Sequence, residues 1–220
     1  MLVAAGVAAA ATVCASVADR SRGGGAQVAA ANRRGSVRAI ASTQGVPAGI
    51  FASIAVLSAA DVFTAYMPVL GEERGIGPRA VGAMLAVRAA ASLLPRIGIG
   101  TLVRRVGRLR LISVSAAAAA AALAAVTLTD DVATLMLLSA LAGVGLGFGQ
   151  PLSMTMVVQL VPEHARSTAL AVRLTGNRLG QVATPAAAGL VAGSAGAGSV
   201  FWLLSAMLLA SAAAVRTARE

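Results

Sequence analysis

Seven stretches of this sequence stay apolar over close to the length of a bilayer crossing: about 2–17, 46–70, 79–103, 109–128, 132–160, 167–192 and 199–215. A helix needs about 20 apolar residues, at 1.5 Å rise each, to cross roughly 30 Å of hydrocarbon. The expected fold is therefore all-α, a polytopic bundle of membrane helices in contact with the lipid bilayer. The composition agrees, with 58% hydrophobic and 12% charged residues and a mean hydropathy of +0.83 across 220 residues; a soluble domain carries about 45–50% apolar residues.

A net charge of +10 raises the question of nucleic-acid binding. Repeated runs of span length argue against it, because a nucleic-acid binder surrounds its basic face with polar residues, and no nucleic-acid partner is expected. All 18 basic residues are arginine, so no lysine exists to form a Schiff base with retinal or pyridoxal phosphate. One cysteine, Cys14, and one histidine, His164, cannot build a disulfide or a Cys/His metal cluster, so no metal and no cofactor is expected. His164 lies beside Glu163 in a polar loop, where it reads as solvated. An intramembrane serine protease would need its histidine inside a span, so enzymatic readings find no residues to stand on.

The loops alternate in charge. Residues 19–45 carry Arg20, Arg22, Arg33, Arg34 and Arg38, the loop after the third segment carries Arg104, Arg105, Arg108 and Arg110, and the C-terminus carries Arg216 and Arg219. The intervening loops hold Glu72, Glu73, Arg74 and Arg79, then Asp130 and Asp131, then an uncharged Ser/Ala/Gly stretch. Arginine excess marks the cytoplasmic side, so the 19–45 loop and the C-terminus are expected in the cytoplasm of a multi-pass protein of the cell membrane.

The most basic of these loops reads GTLVRRVGRLR, from Gly100 to Arg110. It resembles the G-x-L-a-D-R-x-G-R-R/K signature of the major facilitator superfamily: Gly100, Leu102, Arg105, Gly107 and Arg108 match, while Arg104 stands where the family has its acid. The bland reading of these arginines is positive-inside anchoring at the headgroups. The resemblance implies more. It makes this the turn between helices eight and nine, with Gly100, Arg104, Arg105, Gly107 and Arg108 locking neighbouring helices in one conformational state. Residues 1–18 then correspond to helix six, 19–45 to the basic linker between two six-helix halves, 46–216 to helices seven to twelve, and 217–220 to a cytoplasmic tail.

Two segments are rich in glycine and proline. Gly143, Gly145, Gly147, Gly149 and Pro151 make two interleaved G-x-x-x-G faces, and Gly176/Gly180 and Gly189/Gly193 make two more, one on each side of Pro185. Close backbone packing is the expected use, with kinks at the prolines. The sequence GVGLGFG is not a dinucleotide motif, since its spacing is wrong and no strand precedes it. The alanine run 116–122 reads as a smooth helix face.

An ionisable group inside a span costs about 2.5 to 3.5 kcal/mol, so such groups face a cavity or a partner. Asp61 and Arg88 fall at similar depth and can pair; Arg178 is central; Arg96 and Arg173 lie near enough to the cytoplasmic headgroups to snorkel. Asp61 reads either as a proton or cation carrier or as a fixed counter-ion for Arg88. The resemblance places substrate on helices seven, eight, ten and eleven, hence on Asp61, Arg88, Gln150, Asn177, Arg178 and Gln181, and implies a secondary transporter of a small-molecule substrate. A lone half would lack the opposite wall of the cavity. The expectation is therefore a partial chain, completed by an N-terminal six-helix half or a second copy, with a non-transporting half or an assembly subunit as the alternative.

Overall fold

The computed structural model describes Ile40 and residues 42–217. The expected first span and nearly all of the basic linker lie outside the described residues. Seven α-helices follow: α1 (Val46–Glu73), α2 (Pro78–Ala91), α3 (Leu94–Val106), α4 (Arg108–Val126), α5 (Val132–Gln159), α6 (Arg166–Ala195) and α7 (Ala197–Thr217), with a 3-10 turn at Glu163–Ala165 before α6. No strand occurs among the described residues.

The count exceeds the sequence expectation by one because a single segment is broken. Pro95 has no N–H and its ring crowds the carbonyl of Ala91, so α2 ends at Ala91 and α3 restarts at Leu94. Together they run 29 residues, Pro78–Val106, as one crossing. Pro68, Pro151 and Pro185 leave their helices continuous. By length and composition five crossings qualify among the described residues: α1, α2 with α3, α4, α5 and α7. The remaining helix, α6, has 30 residues, ample length, but Arg173, Asn177, Arg178 and Gln181 make it less apolar than the others.

Helix α5 is the hub, packing against α4, α2 and α1, while α7 packs against α4 and α1. Its glycines make this possible. A methyl added at Gly143 would stand 2.3 Å from the Arg88 carbonyl oxygen, and one at Gly147 would stand 2.5 Å from that of Ser92, so this face lies against the α2–α3 break. The second face is divided: Gly145 meets α4 at Ser115 and Ala119, and Gly149 meets α1 at Val56. Gly176 and Gly180 both lie against α1, beside Ile50, Ile54 and Ser58. The pair beyond Pro185 departs from expectation. A methyl at Gly189 would meet only the Tyr66 hydroxyl, and one at Gly193 nothing within 4 Å.

Alanines of the run 116–122 form the α4 contact, with Ala116, Ala119, Ala120 and Ala122 buried. Two hydroxyls knit α4 to α7: Ser205 donates to the Ala120 carbonyl at 2.9 Å and Ser113 to that of Ala212 at 3.2 Å. The main core gathers Phe63, Met67, Met84, Leu123, Leu135, Phe201 and Leu208, with Phe63 and Phe201 edge to face at 5.8 Å.

The end of the bundle at the α1–α2 connection is closed by two adjacent side chains of opposite charge. The Glu73 carboxylate accepts the backbone N–H of Ala197 at 3.1 Å, at the electropositive start of α7. Arg74 donates to the carbonyls of Val126, Thr127 and Thr129 at 2.7 to 2.9 Å, at the electronegative end of α4, and pairs with Asp130 at 3.2 Å. At the opposite end α3 and α4 are separated only by Gly107, whose φ of +86° favours glycine.

Candidate functional site

Asp61 and Arg178 lie near the midpoints of α1 and α6, and Arg88, in the last turn of α2, is level with Thr64 of α1. Gln181 joins two of them. Its amide nitrogen donates to the Asp61 carboxylate at 2.8 Å, and its amide oxygen accepts from Arg178 at 2.9 Å. Arg88 donates to the Thr64 hydroxyl at 3.1 Å, and its guanidinium sits 5.4 Å over the Phe63 ring. The order across α2, α1 and α6 is Arg88, Thr64, Asp61, Gln181, Arg178, with Asp61, Thr64 and Arg178 exposed and Arg88 and Gln181 half-buried. Thr64 and Gln181 each precede a proline by four residues, Pro68 and Pro185, so the carbonyls of both lose their helical N–H partner.

The direct Asp61–Arg88 ion pair anticipated from depth does not form. The glycine at 143 draws the α2 backbone at Arg88 onto α5, and the two side chains turn to Gln181 and Thr64 instead. Arg88 remains within electrostatic reach of Asp61.

One level away, toward the α3–α4 turn, lies a buried polar network across α1, α5 and α6. Ser53 donates to the Asn177 amide oxygen at 2.8 Å, and Gln150 donates to the Ser53 carbonyl at 3.0 Å. Arg173 donates to the Gln150 side-chain oxygen at 2.8 Å, the Gln150 carbonyl at 3.2 Å and the Ser153 hydroxyl at 3.1 Å. Arg173 is 4% exposed, so it does not snorkel; its acceptors are neutral, and its Nε is buried without a partner. Sequence depth alone left a headgroup contact open because it carries no information on which way α6 faces. Arg96 is exposed, as snorkelling requires.

The six residues proposed for substrate thus fall into two groups: Asp61, Arg88, Arg178 and Gln181 in an open belt, Gln150 and Asn177 in the buried network. Sequence reasoning missed Thr64, Ser53, Ser153 and the inward turn of Arg173. The signal available for them was spacing: Thr64 shares a helix face with Asp61, and Ser153 with Gln150, each at i+3.

The basic turn is more compact than its eleven residues suggest. Gly107 alone makes it, while Gly100 is helical, inside α3. Arg104 bonds Thr101 at 3.2 Å on its own helix, Arg105 is exposed, and Arg108 bonds Gln159 at the end of α5, tying the two ends together.

An α-helical bundle of crossings with a charged belt at mid-depth defines a polytopic membrane protein. Residues 48–220 match the model of the Major Facilitator Superfamily, which covers all the described helices but the first two residues of α1, and the chain belongs to that family of membrane transporters. No curated protein matches the chain.

Proposed function

We propose that this chain forms one wall of the pathway of a secondary active transporter that moves a small solute by alternating access, with Asp61 carrying a proton. The observation behind this reading is the belt from Arg88 to Arg178: charged groups at mid-depth on an exposed face are tolerated only against a water-filled cavity or a protein partner. In transporters of this architecture the site lies near the bilayer midplane between two repeats. Asp61 is the sole carboxylate at that depth among the described residues, and its partner is a neutral amide, so it can gain and lose a proton without breaking an ion pair.

The test is proton flux in vesicles holding the full chain under a pH gradient. Asp61→Asn should abolish flux and leave insertion intact; flux unchanged by the substitution removes Asp61 from the mechanism. The same exposed belt supports a second reading, in which this wall works only when covered by a second copy or another six-helix half. Cross-linking through a cysteine at Arg178 then yields dimers or a captured partner. For orientation, cysteines at Arg105 and Glu72 should be labelled from the cytoplasmic and the opposite side respectively; the reverse pattern overturns the cytoplasmic assignment.

A further inference from the structure

The belt carries unbalanced charge, and the imbalance bears on what it takes. Resting on the reading of the belt as a transport site, we infer that its substrate carries a carboxylate, held between Arg88 and Arg178, and that this anion and a proton on Asp61 bind with positive coupling.

Among the described residues two guanidiniums flank one carboxylate, which leaves one positive charge in excess at a depth where lipid cannot neutralise it. Among the described residues neither arginine has a carboxylate at ion-pair distance. Arg88 spends Nη2 on a threonine hydroxyl, and its buried Nε has no partner. Arg178 spends Nη1 on an amide oxygen. A guanidinium offers paired donors that match the two oxygens of a carboxylate, and a charged acceptor outcompetes hydroxyl and amide.

The coupling follows from position. Among the described residues the charged or titratable groups near Asp61 are Tyr66 on α1, Arg88 on α2 and Arg178 on α6; α5 has no charged side chain, and the one on α7, Arg216, is at its far end. Ionised Asp61 holds Gln181, which holds Arg178, and it repels an incoming anion. Protonated Asp61 ceases to repel and holds the Gln181 amide less strongly, as a neutral acceptor, so the Gln181–Arg178 pair turns to the substrate at lower cost. Proton and carboxylate therefore favour each other, and by reciprocity each raises the affinity of the other equally.

The experiment uses the full chain in nanodiscs and three probes of one shape: benzoate, benzamide and benzylamine. Thermal shift and calorimetric titration should show saturable binding of benzoate alone, weakened at least tenfold by Arg88→Gln and by Arg178→Gln. Benzoate affinity should rise as pH falls and become pH-independent and tighter in Asp61→Asn. Equal binding of benzamide, preference for benzylamine, or no saturable binding of benzoate overturns the inference. Should a glutamine variant fail to fold, Arg88→Lys and Arg178→Lys keep the charge, and an undiminished affinity there overturns the paired-donor geometry. These outcomes are independent of proton flux: loss of anion preference with flux intact sinks the substrate class alone, and flux unaffected by Asp61→Asn sinks the transport role alone.

Discussion

Two glycine-to-alanine substitutions should move stability in opposite directions. At Gly143 the new methyl would stand 2.3 Å from the Arg88 carbonyl oxygen and 3.0 Å from its carbon. Side-chain methyls do not sit closer than 3.0 Å to such atoms, so α2 and α5 must separate by at least about 0.7 Å. The obstacle is backbone, which cannot swing aside as a side chain would. Overpacking of this kind costs about 1–3 kcal/mol, and alanine's helix propensity returns up to about 1 kcal/mol. Gly143→Ala should therefore destabilise by about 1–2 kcal/mol. At Gly193 nothing lies within 4 Å, so only the propensity gain remains, and Gly193→Ala should stabilise by about 0.5–1 kcal/mol. Reversible unfolding in mixed micelles by increasing dodecyl sulfate, followed by circular dichroism, measures both. A Gly143→Ala protein as stable as the parent would mean that α5 does not touch the Arg88 backbone, and the belt geometry would fall with it. Equal losses at both glycines would show that the penalty is generic and unrelated to packing.

Removing the clamp at the α1–α2 end should be costly on one side only: Arg74→Ala loses bonds to three carbonyls and should lower stability by about 1.5–3 kcal/mol, whereas Asp130→Asn, on a side chain 79% exposed, should cost less than about 1 kcal/mol in the same unfolding assay. Asp131 caps α5, accepting from the Thr134 hydroxyl at 2.7 Å and the Thr134 N–H at 2.8 Å, and these bonds hold its carboxyl below the usual carboxylate range. Its folded-state value being depressed, the cap's contribution is complete above the ordinary carboxylate range and is lost as pH falls through the lowered value. Hydrogen exchange of the amides at the start of α5 should accelerate on acidification, and Asp131→Ala should be fast and pH-insensitive beyond the intrinsic rate. Ser53→Ala strips the donor from the buried Asn177 oxygen and should cost about 1–3 kcal/mol; a double-mutant cycle with Asn177→Ala should show coupling, and strict additivity would deny the contact.

Length and apolarity made the helices legible, and glycine spacing made the α5 and α6 contact faces legible where neighbours were close. The same spacing misled at Gly189 and Gly193, because a G-x-x-x-G face permits close approach without supplying a helix to approach. The α2–α3 break at Pro95 was not legible, because a proline interrupts some helices and leaves others continuous, as at Pro68, Pro151 and Pro185. Charged residues were legible in depth alone. Depth follows from counting along one helix, whereas partner choice depends on the rotation of each helix about its axis, fixed by packing elsewhere. That is why depth offered Asp61 a pairing with Arg88 when its partner is Gln181, and left open whether Arg173 reached the headgroups.

Arg173 also accounts for the polarity that separates α6 from its neighbours. Its guanidinium has no carboxylate, and a buried cation facing only neutral acceptors retains most of its desolvation cost. Such a group is a poor source of net stability, but it is sensitive to position. The acceptors on α5 come from Gln150 and Ser153, one turn apart, and Asn177, one turn along α6, is engaged by Ser53 on α1. Sliding α6 by a turn would strand the cation and the Asn177 amide away from their α5 and α1 partners, at a cost of several kcal/mol. The seating of Gly176 and Gly180 against Ile50 and Ile54 of α1 agrees with the same register. The buried network therefore fixes the height of α6 against α1 and α5, and with it the alignment of Gln181 with Asp61 one level away on which the charged belt depends.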